Sequence, residues 1–149
     1  MVITGAAEAL AGRLAGIAYV DALYPTDGQS TSDLVGPLFA STLASAIDPP
    51  PVEVFAIANP AERARVARLM TPHPAKSAAE PVRLTGAVEA IPRKTYIVAD
   101  HLSGATPFKA TGARLAQDPR WRTEKLPTGH HPMIDAPDAL TDLLVATAG

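Results

Sequence analysis

The sequence predicts an α/β fold: about three parallel strands flanked by helices, with a helical insertion between the first two strands. Three observations carry that expectation. Short apolar runs bounded by turn formers occur at residues 16–21 and 93–100, and a third strand-like segment, with alternation, at 121–126. Stretches with helical signals alternate with them. A long proline-rich segment, holding many of the 15 prolines, separates the first run from the second. Such alternation is the pattern of a parallel sheet joined by helical crossovers.

Each element has its own grounds. Residues 1–14, MVITGAAEALAGRL, are small and apolar with Glu8 and Arg13 as the only charges, and read as a packed helix. No N-cap stands before it, and an apolar, uncapped first turn leads us to expect preceding sequence. GIAYVD at 16–21 reads as a buried strand, and Tyr24-Pro25-Thr26-Asp27-Gly28 as a reversal. Ser32 or Asp33 caps an expected helix over 34–47, weakened by Gly36 and Pro37 and stopped by Pro49-Pro50-Pro51. Asn59-Pro60-Ala61-Glu62 opens another that runs to about Met70. RKTYIVAD at 93–100 is the second strand, 106–117 a helix, and WRTEKL at 121–126 the third strand. Asp135-Ala136-Pro137-Asp138 starts a last helix, with Leu140, Leu143 and Leu144 on one face.

Composition removes several function classes. Lys and Arg number 13 against 15 Asp and Glu, a net charge of −2, so nothing would neutralise a nucleic-acid backbone. The chain has no cysteine, which excludes disulfides, thiolate metal sites and a cysteine nucleophile. No run approaches the roughly 18 apolar residues of a membrane span. No positive charge precedes the apolar start, so it is not read as a secretory signal and a cytoplasmic protein is expected.

In open α/β sheets, ligands gather beyond the carboxyl ends of the strands. Asp21 ends the first strand, Asp100-His101 the second, and Thr128-Gly129-His130-His131-Pro132 follows the third. An acid after one strand and a histidine after a later one are the parts of a His–carboxylate pair. The carboxylate fixes the tautomer and the imidazole takes a proton from a nucleophile. Strand-end aspartates also serve as caps and loop anchors, so spacing alone leaves that role open.

The segments GIAYVDALYPTDGQS, RKTYIVAD and RWRTEKLPTGHHPMIDAPDALTDLL resemble the C-terminal part of the α/β-hydrolase superfamily. The resemblance is closest to its small carboxylesterase-like branch, related to plant methyl-ester esterases and hydroxynitrile lyases. It covers essentially the whole chain. It implies that His130, in Thr128-Gly129-His130, is the general base, rather than His131. It implies Asp21 as the acid, with Asp100 the alternative; the position aligned with the hydroxynitrile lyases' acid falls on Leu102. The branch's nucleophile elbow, G-x-S-x-G, is absent; Gly28-Gln29-Ser30-Thr31-Ser32 comes nearest and lacks the last glycine. The resemblance puts the serine about four residues ahead of Met1, with the oxyanion loop further upstream.

The expectation is therefore a truncated, cofactor-free serine hydrolase for a small carboxylic ester, inactive as this chain alone. Residues 16–21 would then expose an unpaired edge. Residues from about 30 to 91 would form the cap of one domain that takes in the whole of 1–149. A lyase or amidase on the same frame, and a non-catalytic fragment that needs a partner chain, are the alternatives. No cofactor, metal, nucleic acid or membrane is expected as a partner, and the sequence leaves the oligomeric state open.

Other residues have plainer expected roles. A metal would need three or four convergent ligands, and no carboxylate spacing completes a site around His130-His131. His73, between two prolines, reads as a surface or substrate-edge residue. Met70 and Met133 read as packing residues, and Tyr19, Tyr96 and Trp121 as core. Arg63, Arg65 and Arg68 read as a solvated helix face.

Overall fold

The computed structural model of the chain describes residues 1–36, 46–102 and 104–149. They divide into two compact units, and the sheet belongs to the second, formed by Ala15–Ala22, Pro50–Leu69 and Pro92–Gly149. Its three strands are β1 (Gly16–Val20), β4 (Arg93–Ala99) and β5 (Trp121–Leu126). Their order is β1-β4-β5 and every pairing is parallel, with Tyr19 opposite Tyr96 and Tyr96 opposite Thr123. β4 lies in the middle, and all of its residues after Arg93 are buried. β1 is an outer strand and, contrary to the expectation of full burial, only Tyr19 in it is fully buried.

The two faces of the sheet follow from the period-two alternation of side chains. Tyr19, Tyr96, Val98 and Trp121 share one face, where the Tyr19 and Trp121 rings lie 5.8 Å apart and Tyr96 and Val98 meet α5 (Pro107–Leu115). That helix comes close because of Gly112. A Cβ there would stand 2.4 Å from Val98 Cγ2 and 3.4 Å from the Tyr96 ring. On the other face Ile97, Leu126 and Leu140 form a buried cluster with Val20 and Leu143 against it, under α7 (Pro137–Ala148). Leu144, expected on the same stripe, is 39% exposed: the buried stripe runs through Leu140, Leu143 and Thr147 instead. Thr147 donates its hydroxyl proton toward Thr95 Oγ1 (2.9 Å) or Leu143 O (3.0 Å), and Arg93 Nε donates to Thr147 O (2.8 Å). That arginine satisfies helix-end carbonyls which have no partner in their own helix.

In the same unit, Val52–Phe55 form a 3-10 turn and α3 spans Pro60–Leu69. Asn59 caps α3, its Oδ1 accepting from the Ala61 and Glu62 amides, as its sequence signature foretold. Arg65 pairs with Glu62, and Arg65 and Arg68 are exposed while Arg63 is half-buried. No separate signal marked α6 (Pro132–Asp135), one turn ahead of α7, in the sequence. Met133 on it is 52% exposed, so it is not the packing residue expected.

The first unit holds Met1–Leu14, Leu23–Pro49 and Met70–Ile91. α1 covers Val2–Leu10 and passes into a 3-10 turn over Ala11–Arg13; it buries Thr4 and Ala7 while Val2 and Ile3 face solvent. Its Glu8 carboxylate gathers the Ala87 and Val88 amides (3.0 and 2.9 Å) and both the amide and the hydroxyl of Thr85. Those donors hold its pKa down to about 2, the Thr85 hydroxyl contributing most. Gly28, at φ 79°, makes the reversal after Tyr24, with Gln29 N–H donating to Thr26 O. The expected helix over 34–47 is corrected at both described ends. α2 is Thr31–Val35, and its cap is Ser30, which exchanges hydrogen bonds with Asp33 in a capping box. Gly36 follows at φ 82°, and residues 37–45 lie outside the described residues. Ala46–Ile47 are β2, paired antiparallel with β3 (His73–Pro74), which leads into α4 (Ala75–Ala79). No described helix is long and apolar enough to cross a membrane.

Candidate active site

The three parallel strands end on one edge of the sheet, and each end is shaped by the residue that follows it. β1 stops because Asp21 takes φ 41°, a left-handed conformation uncommon outside glycine. The Asp21 amide still donates to Ile97 O (2.7 Å), as the ladder requires. The next ladder bond does not form between backbones. Ala99 N–H, which a continued parallel ladder would give to the carbonyl at position 21, donates to Asp21 Oδ1 (3.1 Å). A side-chain oxygen thus replaces a main-chain one, and the carboxylate is turned inward.

Asp21 is 1% exposed. A buried carboxylate is stable only with partners. Oδ1 has the Ala99 amide, and Oδ2 lies 2.6 Å from His130 Nδ1. The Nδ1 proton is assigned to this contact, which leaves the lone pair of a neutral ring on Nε2.

His130 comes from the turn after β5. Thr128 N–H donates back to Leu126 O (2.8 Å), and His101 N–H to Thr128 O (3.1 Å), which ties this turn to the one after β4. His130 N–H then donates to Phe55 O (2.8 Å). At Gly129 the two main chains nearly touch: a Cβ would stand 2.3 Å from Ala56 O and 2.4 Å from Phe55 O. The Phe55–Ala56 corner is made by Ala56 at φ 51°, and Asp135 Oδ1 holds it by accepting from Ala58 N–H (3.0 Å). The Phe55 and Phe108 rings stack on the His130 imidazole, with centroids 5.7 and 4.7 Å away.

The structure separates the remaining candidates. His131 is half-buried, its ring edge-on to His130 and to Phe55, and its Nδ1 has no hydrogen-bond partner among the described residues. Burial, then the neighbouring His130, push its pKa down, against the pull of Asp135. Asp100 is exposed and faces Lys125 and Lys109 at 3.5 and 3.7 Å, a solvated cluster of modest energy. Leu102 offers its carbonyl to Lys109 Nζ (2.6 Å). Ser30, in the nearest approach to an elbow, lies in the other unit and spends its hydroxyl on Asp33. His73 is exposed and also belongs to that unit. Among the described residues no group of three or more His, Cys, Asp or Glu is arranged to hold a metal ion.

Sequence reasoning missed Phe55, Phe108 and Tyr96. The Tyr96 hydroxyl sits 2.6 Å from Ala22 O and 3.1 Å from Phe108 O, and gives its one proton to either carbonyl. Burial, and next the charge of Asp21, raise its pKa above the usual tyrosine range. The sequence placed a helix over 106–117, yet nothing there indicated which way Phe108 would face.

No family model matches the chain. It is 28% identical, over an alignment 162 positions long, to a carbendazim-hydrolyzing esterase from Nocardioides sp. strain SG-4G. The match takes in 98% of this chain and 66% of the esterase. Among solved structures it is similar to an extracellular α/β-hydrolase from a Paenibacillus species, described as sharing structural and functional homology with tobacco salicylic acid binding protein 2. The TM-score is 0.78 at 19% identity, covering 99% of this chain and 67% of that one. A tomato methylketone synthase I variant complexed with β-ketoheptanoate superposes with a TM-score of 0.72 at 15% identity, covering 97% and 65%. The chain thus spans about two thirds of the length of the proteins it matches, and over that span it has the α/β-hydrolase fold.

Proposed function

We propose that this chain supplies the acid and base of a serine-type hydrolase acting on a small carboxylic ester. The observation that carries the reading is the 2.6 Å contact between His130 Nδ1 and the fully buried Asp21 carboxylate, at the carboxyl edge of a parallel sheet. Asp21 holds the ring and stabilises it once charged; His130 Nε2 removes the proton from a serine hydroxyl and returns it to the leaving alcohol. Asp100 is not needed, since its carboxylate faces two lysines. The similarity to an esterase supports ester chemistry. No cofactor enters the reaction.

The 149 residues contain no G-x-S-x-G, so the nucleophile and the oxyanion donors are expected outside them. The test is a p-nitrophenyl ester assay on two proteins: this chain, and a longer product of the same locus that includes an in-frame G-x-S-x-G. The short chain should show no turnover. The longer one should hydrolyse the ester and lose roughly 10³–10⁴-fold in kcat with Asp21→Asn. Turnover by the short chain that His130→Ala abolishes would overturn the external nucleophile. Likeness of fold does not by itself choose the reaction, and a synthase shares this one, so a lyase on the same frame is the second reading.

A further inference from the structure

Three restraints act on the His130 ring, and the hydrogen bond to Asp21 is only one of them. Phe108, near the start of α5, stacks at 4.7 Å with the ring planes 26° apart. Phe55, at the end of the 3-10 turn, stacks at 5.7 Å with the planes 17° apart. A single hydrogen bond at Nδ1 fixes a point and leaves the imidazole free to tilt about it. Near-parallel rings oppose that tilt, because turning the ring would cost contact with both phenyls.

Each phenyl is itself held. The Phe108 carbonyl receives the Tyr96 hydroxyl (3.1 Å), and the helix start beside it is capped by Thr106. The Phe55 carbonyl receives His130 N–H (2.8 Å), its ring takes the edge of the His131 ring at 4.8 Å, and Asp135 pins Ala58 three residues on. Both phenyls are half-buried.

We propose that Phe55 and Phe108 are positioning residues that set the plane of the His130 imidazole and hence the direction in which Nε2 points. Why that direction matters rests on the acid–base reading above, since proton transfer depends steeply on alignment. The positioning itself can be measured without turnover.

The experiment is side-chain NMR of the ¹⁵N-labelled 149-residue chain, following solvent exchange of the His130 Nδ1 proton and the shifts of its carbon-bound ring protons. Phe108→Leu and Phe55→Leu should each speed exchange by about 2–10-fold. Each should also move the ring protons downfield as a ring current is removed. The double variant should exceed either single one, while Phe108→Tyr and Phe55→Tyr should restore wild-type behaviour. The backbone amide spectrum shows whether each variant is folded, and the single variants keep the comparison readable if the double one is not. Folded leucine variants with unchanged exchange and unchanged ring shifts would overturn the proposal. An Asp21→Asn variant that leaves the Nδ1 proton undisturbed would instead remove the acid–base pair, a separate failure.

Discussion

At the scale of single residues, the site is held by groups whose importance comes from geometry rather than chemical type. Gly129 is the clearest case. Alanine there would drive a methyl group into two carbonyl oxygens of the main chain, which cannot swing aside as a side chain would. We expect Gly129→Ala to destabilise the chain by about 1–3 kcal/mol in urea unfolding and to loosen the His130 turn. Gly112→Ala meets a valine methyl instead and should be better tolerated. Tyr96 is a second case: its hydroxyl serves carbonyls on either side of the site, Ala22 and Phe108. Tyr96→Phe should cost about 0.5–1.5 kcal/mol, read from the unfolding midpoint at constant slope. Asp21 and His130 were singled out through the resemblance carried by GIAYVDALYPTDGQS and Thr128-Gly129-His130, since residue type and spacing alone left their pairing open. The stacking partners could not be singled out, because a phenylalanine carries no mark of what its ring will lie against.

At the scale of elements, the legible parts were those fixed by local chemistry. Asn59-Pro60 located a helix start because a cap and a following proline act within one turn. Two apolar runs and the alternating segment at 121–126 located all three parallel strands. The expected helix over 34–47 failed where local and long-range preference compete. Ala46 and Ile47 suit either state, and pairing with His73 and Pro74 makes them a strand. Ser30, rather than Ser32 or Asp33, became the cap because Asp33 sits three residues on and closes the box. Glu8 ties the first helix to the segment at 85–88 through a titrating group. Its folded pKa of about 2 lies below the roughly 4.3 of an unfolded glutamate. A depressed carboxylate adds stability that is complete above about pH 4.3 and fades as pH falls toward about 2. Glu8→Gln should therefore flatten the stability-against-pH curve in that acid window, measured by chemical denaturation. An unchanged slope would mean that the Thr85–Val88 amides do not depend on the carboxylate.

Across the whole molecule, chain order and spatial grouping part company. Residues 50–69, read from sequence as the middle of one continuous insertion, group with the strands, whereas 23–49 and 70–91 group with α1. Sequence spacing could not reveal this. The attachment runs through the Phe55 carbonyl and the Ala58 amide, main-chain groups that every residue possesses. Native-state hydrogen exchange should therefore show the Ala58 amide protected to a degree comparable with the site turns. Asp135→Ala should release it selectively, raising its exchange rate by about tenfold, while β4 amides stay as they were. Equal exchange in both proteins would detach Asp135 from any role in holding this segment.

The two oxygens of Asp21 have divided tasks, one on the Ala99 amide and one on the imidazole. Any gain or loss of charge on that ring must redistribute electron density across a single carboxylate and so alter the hydrogen bond at its far side. The Ala99 amide proton is thereby a built-in reporter: its resonance should register events at His130 without a label, an inhibitor or a substrate ever touching the histidine.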